Sequence, residues 1–183
     1  MNPELVEKLL AIHRALKARS LPHAFGGAIA LAYCVHEPRG TRDLDVNIFI
    51  DASDAARALE ALPDGVRVSS EDIEKVKRDG QTRLFWDGVP VDVFLNNIPL
   101  HEEVANGVVW VPLTDEQIPV LDCASLVVFK SFFNRTKDWA DIEEVAAAAP
   151  KDVDAAAKTV GALVGEDDHA YQRLAEIAAN PPA

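Results

Sequence analysis

Residues Phe25 to Phe49, FGGAIALAYCVHEPRGTRDLDVNIF, decide the fold: a glycine pair opens a small-residue helix, a basic turn follows, and that turn leads into an acidic strand. Gly26 and Gly27 remove side chains where an extended segment, Leu21 to Phe25, becomes helical, so a ligand can approach the main chain closely. The N–H groups left free at that helix start form an anion site. In DLDVNIFI, alternation sets Leu44, Val46, Ile48 and Ile50 on one face and Asp43, Asp45 and Asn47 on the other. Residues two apart on a strand share a face at roughly 6–7 Å, so Asp43 and Asp45 can together hold one or two hard divalent cations.

Working outward, the segment before the glycines reads as an amphipathic helix from about Pro3 to Arg19, with Leu5, Leu9, Ile12 and Leu16 on one stripe. The helix opened by Gly27 runs to about Val35, and His36 to Arg42 form a turn holding Arg39, Thr41 and Arg42 directly before the acidic strand. After that strand, Ser53 or Asp54 caps a helix to about Leu62, Pro63-Asp64-Gly65 turns, and Val66 to Val68 make an edge segment. A polar helical stretch, Glu71 to Arg78, breaks at Gly80. From Thr82, TRLFW-DG-VPVDVFL reads as a hairpin, because Asp-Gly between two alternating runs is a strong hairpin signal. Val89, Val91 and Val93 share its apolar face, and Asp92 falls on the opposite face with Phe94. An aspartate in so apolar a strand is costly to bury unless it is paired or coordinates a metal, which makes Asp92 the third carboxylate.

The remainder is mostly helical. Pro99 to Ala105 form a short helix, and Gly107 to Leu113 read as a last strand that Pro112 confines to an edge. A long helix from about Cys123 to Arg135 carries Leu126, Val127, Phe129, Phe132 and Phe133 as core. Lys130, Asn134, Lys137 and Asp141 come together if the helix restarts across Thr136, and an Ala-rich helical tail follows Pro150. Asp152 and Asp154 repeat the D-x-D spacing inside that tail, where a helix makes them diverge. Spacing alone is therefore weak in a chain with 30 acidic residues; strand context and the preceding glycine turn lift Asp43 and Asp45 above it.

The expected organisation is a catalytic core over residues 1–115 and a C-terminal helical region over 116–183 packed on it rather than independent. Hydrophobic residues at 49% and charged residues at 26% suit a globular α/β chain. A net charge of -12 argues against broad non-specific nucleic-acid binding, so a polyanionic substrate has to be met by a local basic patch or by metal. Cys34 and Cys123 form no metal or redox spacing and read as buried thiols in a reducing compartment. With neither a signal peptide nor an apolar run of membrane length, a cytoplasmic protein without membrane contact is expected. His13, His23, His36, His101 and His169 show no zinc pattern and read as satisfied surface residues. Ser125 and Ser131 lack a nucleophile elbow, which removes hydrolase chemistry.

Gly26-Gly27-x-Ala-x-Ala, Arg39-Gly40-Thr41-x-Asp43-Leu44-Asp45 and the later strand Asp92 resemble the signature of the polymerase-beta-like nucleotidyltransferase superfamily, over roughly Leu5 to Val145. The glycine opening and the Lys137-Asp138-x-x-Asp141 segment are similar to AbiEii-type toxin members; the glycines and the basic turn are also similar to small aminoglycoside nucleotidyltransferases. The resemblance implies a nucleotidyltransferase fold, a small mixed β-sheet flanked by helices with a C-terminal helical region. It implies Mg²⁺-dependent transfer of a nucleoside monophosphate from an NTP to an acceptor hydroxyl on an RNA or tRNA end, a protein or an aminoglycoside-like small molecule, with a cognate toxin or antitoxin as a candidate partner. Asp43 and Asp45 would bind two Mg²⁺ ions, with Asp92 as base or further ligand. Gly26 and Gly27 would cradle phosphates, Arg39 and Thr41 would contact phosphate or acceptor, and Lys130 or Lys137 would offset negative charge. The same fold without turnover, as a nucleotide- or partner-binding module, is the alternative. Many members carry a serine immediately after the first glycine, where this chain has Gly27.

Overall fold

The computed structural model describes residues 2–37 and 40–182. In chain order the elements are α1 (Pro3–Ala18), β1 (His23–Phe25), α2 (Gly27–Cys34), β2 (Leu44–Asp51), α3 (Ala55–Leu59), β3 (Val66–Arg67), α4 (Ser70–Asp79), β4 (Gln81–Trp86), β5 (Val89–Asn96), α5 (Leu100–Asn106), β6 (Val109–Leu113) and β7 (Glu116–Val120), then helices α6 (Cys123–Phe133), α7 (Thr136–Ala148), α8 (Pro150–Val164) and α9 (His169–Ala179). They divide into two compact units, Met1–Ile29 with Arg39–Leu121, and Ala30–Pro38 with Asp122–Ala183.

The first unit is built on a mixed seven-stranded sheet in the order β3-β4-β5-β2-β1-β7-β6. β2 pairs with β5, and β1 with β7, in parallel; the other pairings are antiparallel. Leu44, Val46 and Ile48 of β2 and Val91, Val93 and Leu95 of β5 are buried, as the alternation requires. Each such side chain removed from water contributes about 1.5–3 kcal/mol toward folding. Asp87 and Gly88, both at positive φ, turn the β4–β5 hairpin. Ser69 and Asp72 form a capping box at the start of α4, and Gly80 ends that helix in the left-handed region.

Several expectations are corrected. β6 is an edge strand carrying Pro112, but it is not the last: β7 follows it and enters the sheet beside β1, so the sheet runs past the expected boundary at 115. Asp54 takes the N-cap position of α3 but makes no side-chain cap bond, and Asp51 caps the 3₁₀ turn Ala52–Asp54 before it, accepting from the Ser53 backbone at 2.8 Å. His13, His23 and His101 are buried, not superficial. His23 Nδ1 lies 2.8 Å from the Leu21 carbonyl and must donate to it, so His23 Nε2 accepts from His13 Nδ1 at 2.9 Å. Burial pushes the His23 imidazole down to about 4.

In the second unit, α6 to α9 pack around Trp139, Ile142, Val145, Val153, Val160 and Leu174. Leu126 and Val127 join that core, whereas Phe132 and Phe133 are exposed at the end of α6, which stops at Asn134 in the left-handed region. Cys34 and Cys123 form a disulfide across 89 residues, Cα–Cα 5.6 Å, in place of the two expected thiols. The fold, not local spacing, makes that pair. Asp152 and Asp154 lie in α8, as the control on D-x-D spacing required.

Candidate active site

The site is assembled in the first unit from the end of β1, the start of β2 and the middle of β4 and β5. The Gly26 N–H donates to the Asp45 carbonyl at 2.9 Å, which carries the β1–β2 ladder one residue further. Gly27 then turns with φ +51°, and a Cβ there would lie 1.8 Å from Asp45 Oδ2. The Asp45 carboxylate therefore rests against the bare backbone at the start of α2. A methyl or hydroxymethyl group at Gly27 would occupy its place.

Parallel pairing of β2 with β5 sets Asp45 directly opposite Asp92. Asp43 lies immediately before β2, where Thr41 Oγ1 donates to its Oδ1 at 2.7 Å. Thr41 thus orients a carboxylate rather than presenting a free hydroxyl. Antiparallel pairing of β4 with β5 sets Arg83 opposite Asp92 on its other side. Arg83 donates through Nε to Asp92 Oδ1 and through Nη2 to Oδ2, each at 2.7 Å, a bidentate fork. That bond, with the added fields of Asp43 and Asp45, raises the guanidinium further above its already basic range. Arg83 was not anticipated. The signal existed: with Trp86 opposite Val89 across a two-residue turn, counting back along the hairpin places Arg83 against Asp92.

The donor set is oxygen only and carboxylate rich, which suits Mg²⁺. Asp43 and Asp45 would hold it, the Asp45 carboxylate lying against the Gly27 backbone. Among the described residues no three His, Cys, Asp or Glu side chains are gathered into a ready metal cluster. Both Asp92 oxygens are engaged by Arg83, so Asp92 would complete the set only on release.

Lys130 and Lys137 belong to the second unit. The Lys130 ammonium is buried and donates to Asp141 at 2.6 Å, 3.6 Å from Asp138. Lys137 is exposed on α7. Burial tends to raise the Asp138 carboxyl, but hydrogen bonds from Arg135 outweigh it and hold the group below its usual range. Arg39 lies outside the described residues. Among the described residues no helix is long and apolar enough to cross a membrane.

The chain's mixed α/β fold matches that of solved nucleotidyltransferase structures. Among solved structures it is similar to the antibiotic-resistance factor ANT(2'')-Ia in solution, with TM-score 0.66 and 15% identity over 94% of this chain and 100% of that one. ANT(2'')-Ia in complex with adenylyl-2''-tobramycin matches with TM-score 0.65 and 15% identity, over 88% and 99%. A Thermotoga maritima protein assigned among the nucleotidyltransferases matches with TM-score 0.52 and 17% identity, over 76% and 91%. Identities this low speak to fold. No family model and no curated protein matches the sequence.

Proposed function

We propose that this chain transfers a nucleoside monophosphate from an NTP to an acceptor hydroxyl. The observation that carries the reading is the in-register pair Asp45 and Asp92 beside the Gly26-Gly27 turn. The N-terminal end of α2 draws the terminal phosphates through the helix dipole, while the Gly26 N–H stays with the Asp45 carbonyl. Thr41 keeps Asp43 aimed along the face it shares with Asp45. Asp92, freed from Arg83, accepts the acceptor's proton on a carboxylate oxygen while the hydroxyl attacks the α-phosphorus in line and pyrophosphate leaves. Mg²⁺, one or two ions held by Asp43 and Asp45, would supply neutralisation of charge on the triphosphate and the leaving group. ANT(2'')-Ia, solved with adenylyl-2''-tobramycin, supports an aminoglycoside-like acceptor; an RNA or tRNA end and a protein hydroxyl are the other candidates, the last two within a toxin–antitoxin pair.

The test is incubation with each labelled NTP and a panel of aminoglycoside, tRNA and protein acceptors at millimolar Mg²⁺, with Asp45→Asn as blank. Labelled product from the wild type and none from the folded variant is expected; equal labelling by both would overturn the assignment. One observation favours the second reading, a binding module without turnover: Asp92 is already neutralised by Arg83. Intact NTP binding with no product from any acceptor would select it.

A further inference from the structure

The Arg83 fork has no structural necessity. A strand in mid-sheet needs no ion pair to hold its register, since backbone hydrogen bonds and the buried Leu84, Val91 and Val93 already do so. The pair lies partly in water, with the Arg83 side chain 53% exposed and that of Asp92 15% exposed, so its net contribution to stability is small. What the guanidinium does touch is the functional cluster. It closes both oxygens of Asp92 and lies within the field of Asp43 and Asp45. Asp45 and Asp92 face each other across β2 and β5, with Asp43 just before β2, and neighbouring carboxylates repel one another unless a cation offsets them.

We propose that Arg83 is a built-in counter-cation of this site, competing with the divalent ion for Asp92 and yielding to it when an anionic substrate arrives to take up the displaced guanidinium. This rests on the reading of Asp43, Asp45 and Asp92 as a cation site. Without nucleotide, Arg83 holds Asp92 and a metal ion meets two carboxylates and a nearby positive charge. With a triphosphate bound, the guanidinium has a better bidentate partner in a phosphate group, and Asp92 becomes available. Cation and nucleotide then bind cooperatively, and the cation alone binds weakly.

The discriminating measurement is Mn²⁺ binding to the full chain, read by the electron paramagnetic resonance signal of free Mn²⁺, for wild type, Arg83→Gln, Arg83→Lys and Arg83→Gln/Asp45→Asn, each checked for native circular dichroism. Removing a positive charge that sits on a ligand is expected to tighten Mn²⁺ binding about tenfold in Arg83→Gln, with Arg83→Lys nearer to wild type. Adding a non-hydrolysable NTP analogue is expected to tighten wild-type binding and to narrow the gap to Arg83→Gln. A residue that merely braced Asp92 would give the opposite sign, weaker binding on its removal. Unchanged or weaker Mn²⁺ binding in folded Arg83→Gln overturns the proposal. Tight binding that survives in the double variant lies elsewhere and overturns the cation site itself. Tighter binding in Arg83→Gln with no transfer product anywhere leaves the counter-cation standing and sinks only the transferase reading.

Discussion

Replacing Gly27 by serine would add a hydroxymethyl group beside Asp45, and it is expected to damage the site. Two costs follow from the geometry. The residue has φ +51°, where any side chain costs about 1–2 kcal/mol. The new Cβ would also stand 1.8 Å from Asp45 Oδ2 and 2.6 Å from its Cγ, so the carboxylate has to retreat by about 1.5 Å to reach ordinary contact. A displacement of that size at a ligand that must be held closely costs about 100-fold in rate. Gly27→Ser and Gly27→Ala should therefore lose about 1–2 kcal/mol in urea denaturation. Their loss of NTP-dependent transfer should be far larger than that modest instability implies. Gly26→Ala is the internal comparison: its Cβ would meet Asn47 Nδ2 and Leu121 Cδ1 at 3.2 Å, a crowding that a few tenths of an ångström relieves. Wild-type transfer by Gly27→Ser, or a greater loss in Gly26→Ala, would refute the placement of Asp45 against the Gly27 backbone.

Stability of the first unit should fall as pH drops from 6.5 toward 4. The His23 imidazole is depressed to about 4 from an unfolded value of 6.5, so the unfolded chain binds the proton first and the native advantage, full above 6.5, is lost on acidification. The contribution is at most about 3 kcal/mol. Urea midpoints measured across that range should slope less steeply in His23→Gln; parallel slopes would dismiss the histidine pair as the cause. For the disulfide, thiol titration of protein purified and denatured without reductant should find no free thiol. Reduction should then destabilise the second unit by up to about 4 kcal/mol for so long a loop. Two reactive thiols in the unreduced, denatured chain would contradict the Cys34–Cys123 bond.

Local chemistry made much of this fold readable. Asp87-Gly88 announced its hairpin, the box at Ser69 and Asp72 opened α4 where the polar stretch began, and alternation in DLDVNIFI separated Leu44, Val46 and Ile48 from Asp45. Long-range pairing hid the rest. β7 is short, holds Pro119 opposite Trp110 and lies beside β1, nearly a hundred residues away, so neither periodicity nor propensity marked it as a strand. The His13–His23 bond and the Cys34–Cys123 bond depend on tertiary approach and have no local spacing to betray them. At the site, the three aspartates and two glycines were legible because strand and turn rules place them. Thr41 was read as contacting phosphate or acceptor; its hydroxyl donates to the Asp43 carboxylate at 2.7 Å. Lys130 was read as gathered with Asn134, Lys137 and Asp141, and its ammonium is held by Asp141 and lies 3.6 Å from the buried Asp138.

β5 lies between β4 and β2, and this makes Asp92 subject to two independent alignments. Its pairing with β2 decides whether it faces Asp45, while the length of the tip at Asp87-Gly88 decides which β4 residue faces Asp92. An insertion or deletion at that exposed tip would slide β4 along β5 and exchange Arg83 for a neighbour, leaving the carboxylate pair where it is. The restraint on the acidic centre can thus be retuned, or removed, by a change in loop length alone, a route open to descendants of this chain that no substitution inside the centre would offer.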